Sequence, residues 1–139
     1  MPMPMRYAHA SSEFDAFLDD ARDELGLQTS HQTYTAVQAV LWTFRRRLPP
    51  KDVIALAQLL PPVLSAIYLQ DWDPDAPTVP FADAATHARE VATVRADHNF
   101  APPTAIRDVG RALRRHVDVA ELDRLLARFP AGAAAFWGG

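Results

Sequence analysis

Residues 36–68, AVQAVLWTFRRRLPPKDVIALAQLLPPVLSAIY, align without a gap on residues 105–137, AIRDVGRALRRHVDVAELDRLLARFPAGAAAFW, at an offset of 69 positions. Ala36, Val40, Arg45, Arg46, Leu56, Pro61 and Ala66 meet identical residues in the second stretch. Val37/Ile106, Phe44/Leu113, Val53/Leu122, Leu60/Phe129 and Tyr68/Trp137 stay apolar in both. Apolar positions recur every three or four residues, the period of a helix with one buried face. No stretch alternates long enough for a strand. The pattern therefore predicts an all-α helical bundle made of two repeats of a three-to-four-helix unit, each burying its apolar stripe against the other.

The punctuation around this core extends the same reading. Ser12 with Asp15, and Thr29 with Gln32, have the spacing of capping boxes, and Gly26 suits a left-handed helix stop. Pro49-Pro50 and Pro61-Pro62 divide the first unit, because proline suits the first turn of a helix and breaks its interior. Residues 71–80, DWDPDAPTVP, hold three prolines and no periodicity, and read as a linker. The expected layout is a flexible leader over 1–12 and a single all-α domain over 13–139. Repeat one covers about 13–70 and repeat two about 81–137. Repeat two is degenerate, with Gly110 and the alanines of 131–135 standing where bulkier residues are expected.

Composition narrows the classes of function. The chain has 139 residues, no cysteine and a formal net charge of −3. Disulfides, thiolate metal sites and a cysteine nucleophile are thereby excluded. No run is long and apolar enough for a transmembrane helix, and MPMPMRYAHA lacks the apolar centre of a signal peptide. A cytoplasmic location and no membrane partner are expected. The net charge gives no general attraction to nucleic acid. The excess of arginine over the single lysine, Lys51, reads as base-composition bias.

The segment from Ala39 to Asp75 carries a more specific pattern. Arg47, Leu48 and Pro49 end one helix, Leu60-Pro61 precedes another, and Tyr68, Trp72 and Pro74 follow. In these features the chain resembles the bacterial domain-of-unknown-function family 2267. The resemblance implies the helical fold and assigns no site.

The side chains that could act are few. Asp15, Asp19 and Asp23 form an acidic stripe on the first predicted helix, and Arg107, Arg111 and Arg114 a basic stripe on the sixth. Like charges at this spacing mildly destabilise a helix, which favours an opposite surface nearby. Trp42 lies far from the apolar face of its helix, either covering a loop or the leader within the monomer or anchoring a partner. Arg45, Arg46 and Arg47 fan around their helix and read as a solvated, cationic C-terminus. His116 falls on the apolar flank and is expected to be partly buried and hydrogen-bonded. Asp83, His87 and Glu90 share a stripe and are the weak metal candidates. Asp71, Asp73 and Asp75 start like a calcium loop, but Pro74, Ala76 and Ala82 break its pattern. No catalytic residues and no cofactor motif assemble. The chain reads as a non-catalytic protein-interaction or self-associating module, a homodimer included. One alternative is a nucleic-acid or polyanion binder through the arginine face. The other is a small-ligand or metal-dependent helical enzyme.

Overall fold

Residues 3–138 of the computed structural model form nine α-helices and one 3-10 turn, and no strand occurs among these described residues. The order is α1 (Met5–Ala8), α2 (Ala10–Leu25), α3 (Ser30–Arg45), α4 (Pro50–Leu59), α5 (Pro62–Leu69) and α6 (Ala84–Thr93). After a 3-10 turn (Ala96–His98) come α7 (Ala105–Arg114), α8 (Val119–Arg128) and α9 (Ala133–Phe136). The expected all-α class is met. No helix among the described residues is long and apolar enough to cross a membrane.

The local signals act as their chemistry dictates, with one exception. Thr29 and Gln32 complete a reciprocal capping box at the start of α3. Gly26 ends α2 in the left-handed region at φ 70°, where glycine alone carries no Cβ penalty. Asp118 accepts from the Glu121 N–H at the start of α8. The exception is Ser12. Its hydroxyl donates to the His9 carbonyl at 3.2 Å, and α2 begins at Ala10 with His9 as its cap. Nothing in Ala10, Ser11 or Ser12 breaks a helix, so helical structure runs back towards Pro4. Residues 5–8 and 10–12 of the expected leader are thus helical, and the Arg6 guanidinium donates to the Leu60 carbonyl at 3.0 Å. Met1, Pro2 and Gly139 lie outside the described residues.

The core is centred on Phe44. Its ring centroid lies 5.0 Å from Phe136, 5.1 Å from Trp137 and 5.8 Å from Phe81. Aromatic side chains from α3, α9 and the segment before α6 therefore meet in one cluster. Leu56 and Leu113 are buried as their periodicity predicts. Leu125 is only partly buried. It borders a shallow cleft with Ala55 and Leu59 between α4 and α8, where the two helices do not close fully.

The arginine triplet corrects its sequence reading. Arg46 is exposed, but Arg45 and Arg47 are 9% and 4% accessible. Arg45 donates to the Tyr68 and Gln70 carbonyls, both at 2.8 Å, and so satisfies acceptors at the end of α5. Arg47 donates to the Pro80 and Thr43 carbonyls and forms a bidentate pair with Glu90 at 2.6 and 3.2 Å. The helix end is covered rather than solvated because the 71–80 segment returns across it. The Val79 N–H donates to the Arg46 carbonyl at 3.1 Å.

Candidate binding groove

Arg107, Arg111 and Arg114 stand on the outward face of α7, whose opposite face buries Val109, Ala112 and Leu113. The three arginines line one wall of a groove of about 590 Å³ between α7, α8 and α9. Leu122 and Leu126 from α8, with Trp137 just after α9, give that groove an apolar floor. Gly110 is what lets the floor form. A Cβ there would lie 3.1 Å from the Trp137 ring, so the indole packs directly on the α7 backbone.

The arginines differ in what they already hold. Arg114 makes a bidentate pair with Asp123, both bonds at 3.1 Å. Arg107 lies 3.7 Å from the Asp108 carboxylate, which is itself engaged by the Thr104 hydroxyl at 2.7 Å. Arg111 is exposed and makes no ion pair among the described residues. Arg107 and Arg111 are thus the cations most open to an incoming anion.

The acidic stripe sits close by, yet does not meet the basic one. Asp15, Asp19 and Asp23 are exposed on α2, with Asp19 3.5 Å from Arg22. α2 lies along α7 in the most extensive helix–helix contact of the fold. The groups that meet there are their neighbours: Asp20 with His116 at 2.6 Å and Glu24 with Arg115 at 2.6 Å. His116 is partly buried and hydrogen-bonded, as its flank position predicts.

Trp42 is partly buried. Its indole N–H donates to the Ile67 carbonyl at 3.1 Å, and the Arg45 guanidinium lies over its ring at 5.2 Å. The side chain therefore packs at the junction of α3 with α5, against a helix rather than a loop or the leader.

The side chains of the weak metal stripe are each engaged within the fold. Asp83 caps α6 by accepting from the Thr86 N–H at 2.8 Å, and that hydrogen bonding holds its pKa below the usual value. Glu90 is held by Arg46 and Arg47. Burial raises its pKa, but the Arg47 hydrogen bond and the two positive charges outweigh this and lower it overall. His87 is buried, and its Nε2 accepts from the Ala82 N–H at 2.9 Å. Burial and then the Arg47 charge push its pKa down, so the neutral ring carries its proton on Nδ1. His87 also borders a smaller pocket of about 320 Å³ with Phe136 and Arg107.

Periodicity finds the arginine stripe but misses the rest of the groove. Trp137, Leu122, Leu126 and Asp123 come from the two elements that follow α7, and periodicity within α7 does not say how those pack back on it. One signal did point there: Gly110 and Arg111 stand 69 residues after Leu41 and Trp42, two bulky residues replaced by none and by a charge.

Fold and groove together define a small helical protein with an arginine-walled surface cleft. The family model described as "Uncharacterized conserved protein (DUF2267)" matches residues 14–136. The chain belongs to that family, as the Arg47, Leu48, Pro49 and Leu60-Pro61 pattern implied. No curated protein matches it.

Proposed function

We propose that the chain is a non-catalytic interaction module that holds an acidic segment of a protein partner in the α7–α8–α9 groove. The observation carrying this reading is that Arg107, Arg111 and Arg114 share one wall of a groove with an apolar floor. Cations at the rim steer and register a partner, while the apolar floor supplies most of the affinity. The test is titration of a fluorescent polyglutamate peptide by anisotropy. Binding should weaken as salt rises from about 0.05 to 0.5 M, because exposed charges are then screened. Replacing all three arginines by Glu should abolish it. Equal affinity for the parent and the triple variant would overturn the reading.

The same proposal includes an internal duplication. α3 ends at Arg45 and α7 at Arg114; α4 spans Pro50–Leu59 and α8 spans Val119–Arg128. All three boundaries are 69 residues apart. The packing is exchanged in the same way: α2 lies on α7, and α6 lies on α3. The ends of both central helices grip these partners, Arg46 and Arg47 through Glu90, and Arg115 and His116 through Glu24 and Asp20. This supports two units related by an approximate two-fold axis that passes near the α3–α7 and α4–α8 contacts.

A second reading, self-association, is favoured by the N-terminal surface. Met3, Met5 and Tyr7 are among the most exposed apolar side chains, and they precede the acidic stripe of α2. A second copy could present this apolar and acidic surface to the groove.

A further inference from the structure

The two halves differ at the groove, and the difference specifies its occupant. In the first half Leu41 is buried and Trp42 fills the junction of α3 with α5, beneath Arg45. Residues 69 positions later are Gly110, Arg111 and Arg114. Gly110 contributes no side chain, Arg111 reaches solvent, and the corresponding space beside Arg114 stands open as the groove. The first half thus carries in its own sequence the kind of group that the second half lacks: an aromatic ring against an arginine.

We infer that the acidic partner segment presents an aromatic side chain to the groove, where it takes the role in the second half that Trp42 takes in the first. This rests on the interaction reading above. Arg114 is already neutralised by Asp123, so it offers the ring a guanidinium face rather than an ion pair. The Trp137 indole, beside the backbone of Gly110, offers an aromatic surface from below. Carboxylates flanking the aromatic residue then pair with Arg107 and Arg111. A groove of about 590 Å³ admits one large aromatic side chain with part of its neighbours. A nucleic-acid strand also offers rings and negative charge. However, it needs a track of cations, and the groove has two open arginines on a chain of net charge −3.

The test uses a fluorescein-labelled peptide with tryptophan between two pairs of glutamates, titrated with the full chain. A second peptide replaces tryptophan by alanine, and a third replaces the glutamates by glutamine. The parent peptide should bind about tenfold or more tighter than the alanine peptide, since the lost contact is a buried ring. Its advantage over the glutamine peptide should shrink with salt. Arg111→Trp, which restores the first-half residue, should eliminate binding. Ala134→Phe should do the same by filling the groove from an exposed position with every charge intact, both variants keeping their helical circular dichroism. Equal affinity for the tryptophan and alanine peptides would overturn the aromatic inference and leave the acidic-groove reading standing. Failure of all acidic peptides to bind would overturn both. A single-stranded oligonucleotide that displaces the peptide and binds more tightly would replace the peptide by nucleic acid.

Discussion

His87 shows how one buried side chain sets a pH limit on the fold. Its neutral ring accepts the Ala82 N–H and faces Phe136 at 4.8 Å, with Arg47, Glu90 and Asp83 as its charged neighbours. Its folded pKa lies below the ordinary value of 6.5, so stability is fully present above 6.5 and declines as pH falls towards the folded value. Glu90 adds a loss of the same sign at lower pH, since its pKa is also depressed and its stabilisation disappears as it is protonated. The thermal midpoint should therefore fall between pH 7 and 5, and His87→Asn should flatten that slope relative to the parent. Identical slopes would mean that other groups govern it. Arg47 is the other residue on which much depends. Arg47→Ala leaves the Pro80 and Thr43 carbonyls without their donor and the Glu90 carboxylate with Arg46 alone. It should cost about 2–4 kcal/mol in urea unfolding, below the full penalty of a buried pair because Glu90 is partly solvated. A change below about 0.5 kcal/mol would make Arg47 an ordinary surface cation.

At the scale of elements, helix ends were more legible than helix surroundings. The Thr29–Gln32 box, the Gly26 stop, the proline starts of α4 and α5 and the Asp118 cap are local devices, and local sequence encodes them. Burial depends on the neighbour as well. Leu56 and Leu125 are identical residues at matching positions, yet Leu56 is 1% accessible and Leu125 only partly buried. Leu56→Ala should cost about 2–5 kcal/mol through lost transfer energy and a cavity. Leu125→Ala should cost at most about half as much, because water already reaches its side. Equal losses by chemical denaturation would show that the α4–α8 cleft closes in solution.

For the whole molecule the question is whether two copies meet. The acidic surface of α2 and the arginine wall of α7 are both exposed, on two helices that pack against each other. Docking of one copy's N-terminal surface into another's groove joins two different patches, so it closes as a reciprocal pair or a ring, or continues as a chain. Sedimentation equilibrium should show average mass rising with concentration at low salt. Reversing Arg107, Arg111 and Arg114 to Glu should restore the monomer. A strict monomer at high concentration would eliminate self-association and leave the partner reading. Trp42 has a different place in this account. Its hydrogen bond to Ile67 and its contact with Arg45 tie α3 to α5, so its truncation bears first on stability.

Residue order alone specifies the helical class, the family, most helix boundaries and the basic face of α7. Each follows from apolar period, proline and glycine placement or spacing along one helix, and these act over a few residues. Packing between elements is what buries Arg45 and Arg47, engages His87 and Glu90 within the fold, and sets Trp137 and the α8 leucines beside the arginines as a groove. Those outcomes depend on the 71–80 segment crossing the end of α3 and on α8 and α9 folding back beside α7. A side chain's partner is set by which distant segment arrives beside it. Periodicity along a single helix carries no information about that arrival.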